Sequence, residues 1–140
     1  QEDGPSLEDL TRLAGHVYEP EDLGAPPASG SWRHDGMVVC PCSMSTLGHL
    51  ASGAGDNLVH RAADVCLKER RRLVLVTRET PLSAVHLPSM LERPRAGAGI
   101  FHPCPAFSNR PQRIEDMLGN LAGRILDSLG LDNNAVKRWE

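Results

Sequence analysis

Three short apolar runs in this 140-residue chain each end in residues that could do chemistry. After "MVVCPC" come Ser43, Ser45 and Thr46, in "CSMST". Small hydroxyls and free backbone N–H groups at a helix start can cradle a phosphate or the polar edge of a ring. The same residues also suit plain helix capping. After "LVLVT" come Arg78 and Glu79. An adjacent cation and carboxylate can hold an anionic ligand and move a proton. The plainer alternative is a surface ion pair worth at most about 1 kcal/mol. After "AGIFH" comes the polar loop "PCPAFSNRP".

Further cations are spaced along the chain. Arg61 and Lys68 lie seven residues apart on one expected helix, hence on one face. Together they can hold a phosphate, or they can simply form a solvated face. Arg124 interrupts an apolar stripe, where it can meet an anion or snorkel at the core edge. The six histidines show no ligand spacing. His49, His60 and His86 read as helix-surface or packing residues. Neither a catalytic triad, a phosphate-binding Walker loop nor a metal cluster is visible, so no metal is expected.

The elements that must position these residues follow from pattern. "SLEDLTRLAGH" reads as a short helix with Ser6 as its cap and Asp9 three residues on. "GAPPASGSWRHDG" reads as a loop. "MVVCPC" is a strand, "STLGHLASGAG" a short helix closed by glycine, and "DNLVHRAADVCLKERRR" a longer helix capped by Asp56. "LVLVT" (73–77) has the β-branched, wholly apolar character of a strand buried on both faces. "PLSAVHLPSMLER" is expected to be a helix bent or broken at Pro88, and 98–102 a third strand. Ile114, Met117, Leu118, Leu121, Ala122, Ile125, Leu126 and Leu129 form a continuous helical stripe. Alternating strands and helices predict a layered α/β sandwich on a parallel sheet. Ligands of such sheets bind beyond the carboxyl ends of the strands, where all three candidate places fall. The expected organisation is one domain: an N-terminal helix and loop (1–36), an α/β core (37–130) and a tail (131–140).

Composition narrows the partners. With 40% hydrophobic residues and no run near 20 apolar residues, the chain can bury a core but offers no membrane span. A net charge of −3 with interspersed signs argues against nucleic-acid binding, which needs a basic face. A secretory signal is not visible. Cys40, Cys42, Cys66 and Cys104 lack paired zinc spacing and are expected to be free, mostly buried thiols, which suits a cytoplasmic protein.

Two long stretches, "GMVVCPCSMSTLGHLASGAGDNLVHRAADVCLKERRRLVLVTRETPLSAVHLPSML" and "PCPAFSNRPQRIEDMLGNLAGRILDSLGL", closely resemble the flavin prenyltransferases of the UbiX type. The likeness runs from about Leu7 to Gly130. It implies a flavodoxin-like three-layer α/β sandwich, dodecameric assembly and FMN as cofactor. It also implies transfer of a dimethylallyl group from dimethylallyl phosphate to the flavin N5 and C6, without a metal. The product, prenylated FMN, would serve a UbiD-type decarboxylase. By position, the resemblance assigns Ser43, Met44, Ser45, Thr46 and Arg78 to FMN and proton transfer to Glu79. It assigns Arg61, Lys68 and Arg124 to the donor phosphate, and Trp139 to closing a neighbouring subunit's site.

The resemblance also departs from the family pattern. The family opens with a strand, a Gly-Ala-Ser loop, a helix and a second strand, and the expectation is a chain lacking that βαβ segment. Where the family carries "AFYHRP", this chain has "AFSNRP". Ser108 replaces the tyrosine that holds the donor phosphate, and Asn109 replaces a histidine. Two further readings follow: a catalytically impaired FMN-binding or assembly protein, and a flavin-dependent decarboxylase of the cysteine-decarboxylase group. The "RETP" block speaks against the last of these.

Overall fold

The computed structural model describes residues 6–95, 97–136 and 138. Strands β1 (Gly36–Cys42), β2 (Arg72–Thr77) and β3 (Gly99–Phe101) form one parallel sheet in the order β1-β2-β3. Helices α2 (Met44–Ser52) and α3 (Leu58–Lys68) connect β1 to β2, and α4 (His86–Arg95) connects β2 to β3. Helix α1 (Leu7–Leu13) precedes the sheet and α5 (Ile114–Leu129) follows it. Parallel strands need such helical crossovers, because a tight hairpin cannot return the chain in the same direction.

Strand β2 explains the layering. Its five residues after Arg72 are all buried, and alternate side chains of a strand point to opposite faces. Leu73 and Leu75 pack with Leu47 and Leu50 of α2 and with Ala63 and Cys66 of α3. Helix α5 lies against β2 and β1. Val39 pairs in register with Leu75, and the register then slips before Cys42 reaches Thr77. The slip falls at Pro41, which has no N–H to give the ladder.

Local sequence sets the helix ends, with two corrections. The cap of α3 is Asn57, whose side chain accepts the His60 N–H at 3.0 Å. Asp56 instead places its carboxylate 3.1 Å from His60 Nδ1; one residue further from the helix, it cannot reach the orphan N–H. Nor does Pro88 break a helix. Residues 81–85 are not helical, and Pro88 is the third residue of α4, where its N–H would have had no intrahelical acceptor anyway. Ser6 caps α1 in a reciprocal box with Asp9, as read. Helix α5 ends at Gly130, at φ 74° with the Arg72 guanidinium against it. The Arg72 Nη1 donates to the Leu129 carbonyl. A side chain there would be strained by the backbone and would also meet that guanidinium.

The four cysteines are free: Cys42 and Cys66 are buried, whereas Cys40 and Cys104 are exposed. The expectation of mostly buried thiols therefore holds for half of them. On β1, Cys40 and Cys42 lie two apart, but the slip at Pro41 breaks the alternation, so Cys42 shares the buried face of Val39 while Cys40 is exposed. The α5 stripe is also only partly covered. Gly123 is the one fully buried residue of α5, and Ile114 and Leu118 are exposed.

Candidate functional site

The carboxyl ends of β1 and β2 open onto a cleft of about 440 Å³ lined by Pro41, Cys42, Ser43, Thr46, Arg78, Glu79 and Thr80. Strand β1 ends at Cys42 and α2 begins at Met44, so Ser43 sits at the corner. Its Oγ accepts the Thr46 N–H at 3.0 Å and donates to Thr46 Oγ1 at 3.0 Å. Capping and cleft lining are therefore the same geometry: the hydroxyl that starts the helix also faces the opening. Met44 packs against the apolar core and Ser45 is exposed, with its carbonyl 2.9 Å from His49 Nδ1. Neither lines this cleft.

Across the cleft, Arg78 and Glu79 do not pair with each other. Glu79 Oε1 accepts the Thr80 N–H at 3.3 Å, and Arg78 has no ion pair among the described residues. The surface ion pair considered from sequence is absent between these two, so the guanidinium keeps its charge for an anion. Thr77, the last residue of β2 before Arg78, is fully buried, and its Oγ1 has no hydrogen-bond partner. An unpartnered buried hydroxyl costs about 1–3 kcal/mol. Its register partner, Cys42, lines the cleft.

Those features fit a cofactor of the FMN kind. The volume lies within the roughly 300–1,000 Å³ usual for ligand pockets. The lining offers hydroxyls, a free cation and a carboxylate beside the apolar Pro41. Burial pushes the Cys42 thiol up to about 11, so it enters this site neutral and serves as packing.

A second cleft of about 390 Å³ lies beside the third strand and α5. Phe101, Cys104, Ala106, Ser108, Asn109, Asn120, Leu121, Arg124 and Val136 line it. It brings together Ser108 and Arg124, sixteen positions apart in sequence. Ser108 stands in a single 3-10 turn (Phe107–Asn109) that ends at Arg110 with φ 51°. Arg124 Nη1 reaches Asp127 Oδ2 at only 3.4 Å.

Arg61 and Lys68 stand elsewhere in the chain. Arg61 lines a small cavity of about 90 Å³ with His49, His60 and Asp64, and its Nη1 lies 3.8 Å from Asp64. Lys68 pairs with Glu69 at 2.6 Å. Neither lines either of the two larger clefts. Trp139 lies outside the described residues. Among the described residues, no group of three or more His, Cys, Asp or Glu could hold a metal ion.

Sequence reading did not single out Thr77, Asn120 or Val136. A hydroxyl closing an otherwise apolar strand was the available sign for Thr77; nothing local marked the other two.

Comparison with known proteins bears on this geometry. The flavoprotein family model matches residues 7–95. A probable UbiX-like flavin prenyltransferase of Streptomyces sp. (strain D7) is 51% identical over 138 residues, which is 99% of this chain and 69% of that protein. The crystal structure of AnUbiX (PadA1) in complex with FMN and dimethylallyl pyrophosphate superposes with a TM-score of 0.93 at 52% identity. It covers 96% of this chain and 71% of its own. A dodecameric FMN-dependent UbiX-like decarboxylase from Escherichia coli O157:H7 also gives 0.93, at 46% identity over 97% of this chain and 74% of its own.

Proposed function

The chain belongs to the UbiX-like flavin prenyltransferases of the flavoprotein family, and on that footing we propose that it transfers a dimethylallyl group from dimethylallyl phosphate to FMN. The observation that carries this reading is the first cleft. There, Ser43, Thr46, an unpaired Arg78 and Glu79 line one cleft at the ends of two neighbouring strands. When bound, FMN supplies the ring atoms N5 and C6 that receive the prenyl group.

The chain's own residues do the rest. Ser43, Met44, Ser45 and Thr46 hold the ring edge from the start of α2, directly or by shaping that corner. Arg78 supplies positive charge, and Glu79 relays the proton displaced as the new bonds form. Breaking the allylic C–O bond develops charge on the departing phosphate, and fixed cations stabilise that charge as it grows. Arg124, which lines the second cleft with Ser108, takes this role. Ser108 reaches less far than a tyrosine would, which leaves more of the phosphate's hold to Arg124. Arg61 and Lys68 line neither cleft, and we infer that they serve the donor phosphate of a neighbouring copy. Trp139 would close such a shared site.

That arrangement requires a homo-oligomer, and the dodecamer of the Escherichia coli relative is the assembly we propose. The proposed organisation is a single domain with its core at 37–130 and a tail at 131–140. The product would serve a UbiD-type decarboxylase. No helix among the described residues is long and apolar enough to cross a membrane, and a cytoplasmic location accords with the free thiols.

Incubating the purified protein with FMN and dimethylallyl phosphate tests the reading. The expected result is a changed flavin absorbance and a cofactor heavier by one prenyl unit. FMN bound with no added mass would favour the impaired, FMN-holding alternative. No binding of FMN at all would end both.

A further inference from the structure

The C-terminal tail is fastened to α5 beside the second cleft, and the fastening runs through Asp127. Arg138 clasps both carboxylate oxygens, Nη2 to Oδ1 at 2.8 Å and Nη1 to Oδ2 at 3.1 Å. Asn133 Nδ2 donates to Asp127 Oδ1 at 2.9 Å and to the Gly123 carbonyl at 3.1 Å. The Arg138 hydrogen bond, more than any other contact, holds the Asp127 carboxyl below its usual range. Arg124 is a third, looser partner at 3.4 Å. The tail presses so closely on Gly123 that a Cβ there would meet Val136 Cγ2 at 2.5 Å and Ala135 Cβ at 2.9 Å. Val136 in turn lines the cleft with Ser108 and Arg124.

Charge balance gives this arrangement its meaning. A lone Asp127 would draw Arg124 into a close pair and cancel the charge the cleft offers. With both oxygens already engaged by Arg138, Asp127 tethers Arg124 without neutralising it. Bidentate guanidinium–carboxylate pairs are the strong, directional ones, so the closer partner prevails. We propose that Asp127 is a positioning residue for the donor cleft: clasped by Arg138, it holds Arg124 only loosely, so that the guanidinium stays open to an anion, and pins the tail that supplies the Val136 wall. The inference rests on reading that cleft as the seat of the donor phosphate.

Four forms of the full-length protein separate the charge effect from simple tail loss: wild type, Asp127→Asn, Arg138→Ala and the double variant. Prenyl transfer gives KM and kcat, titration gives FMN affinity, and inorganic phosphate binding reports the cleft without turnover. Arg138→Ala leaves a carboxylate free to close on Arg124. It should raise the donor KM and the phosphate dissociation constant about tenfold, with kcat and FMN affinity within about twofold. The double variant removes the competing carboxylate. It should recover much of that loss although its tail, followed by hydrogen exchange over 131–138, stays as loose as in Arg138→Ala. Gly123→Ala should loosen the same amides.

Unchanged phosphate affinity in Arg138→Ala, or a double variant no better than Arg138→Ala, overturns the proposal. A wild type that binds phosphate but transfers no prenyl group sinks the functional reading and leaves the positioning test intact. A wild type that binds no phosphate sinks both.

Discussion

Thr77 ties the chemistry of single residues to the fold most directly. Its side chain is fully buried and its Oγ1 is unpartnered, a cost that folding alone does not offset. A ligand or water seated at the carboxyl end of β2 would supply the missing partner. Thr77→Val removes the hydroxyl at nearly constant shape. The expected outcome is unchanged or slightly raised stability without FMN, together with FMN binding weakened about fivefold in a fluorescence titration. Cys42 gives a second test at this scale, through pH. Burial raises its folded pKa to about 11, while an unfolded thiol titrates near 8.5. Between those values the unfolded chain has lost a proton that the folded chain keeps. Stability is therefore complete below about pH 8.5 and falls as pH rises, by up to about 1.4 kcal/mol per unit. Urea midpoints measured from pH 8 to 10.5 should decline in the wild type and decline less steeply in Cys42→Ala.

At the scale of elements, the starts of α2 and α3 do the positioning. Both helices begin with a side-chain cap, Ser43 for α2 and Asn57 for α3. Ser43 combines cap and cleft, so removing it would confound stability with binding. Asn57 lines neither of the two larger clefts, which makes it the clean case. Asn57→Ala should cost about 1 kcal/mol in urea unfolding, with FMN affinity unchanged. The stretch from 81 to 85 carries a related lesson. Its apolar residues suggest helix, yet Pro81 and the Ser83 N–H, which donates to His86 Nδ1 at 3.2 Å, hold it as a lead-in to α4. A proline's effect depends on its place in the helix, and only the observed start at His86 shows that Pro88 falls in the tolerant first turn.

At the scale of the whole molecule, apolar surface is the outstanding fact. Leu7 and Leu13 of α1 are 78% and 86% exposed, and Ile114 and Leu118 of α5 are 66% and 59% exposed. Clusters of large exposed aliphatics mark surfaces that bury against another chain. They accord with a homo-oligomer. Leu118→Glu places a charge on the exposed end of the α5 stripe. It should lower the mass measured by light scattering while leaving the circular dichroism spectrum unchanged. An undiminished mass would place the interface elsewhere.

Periodicity and residue type alone determined the parallel α/β alternation, the buried β2 strand, the Ser6 cap and the reach of α5. Each depends on neighbours within a few positions, where side-chain period and capping geometry dominate. Local pattern also put Ser43, Thr46, Arg78 and Glu79 at strand ends. Tertiary structure alone decided that these four share one cleft, because β1 and β2 are neighbours in the sheet although some 30 positions apart. It alone joined Ser108 to Arg124, set Arg61 and Lys68 apart, and clasped Arg138 onto Asp127. Such meetings depend on how α5 and the tail fold back over the sheet, and pairings across the chain leave no periodic trace in a single sequence. Half-buried stripes such as that of α5 are ambiguous for a similar reason: the pattern shows that a face is apolar, and only packing shows how much of it the same chain covers.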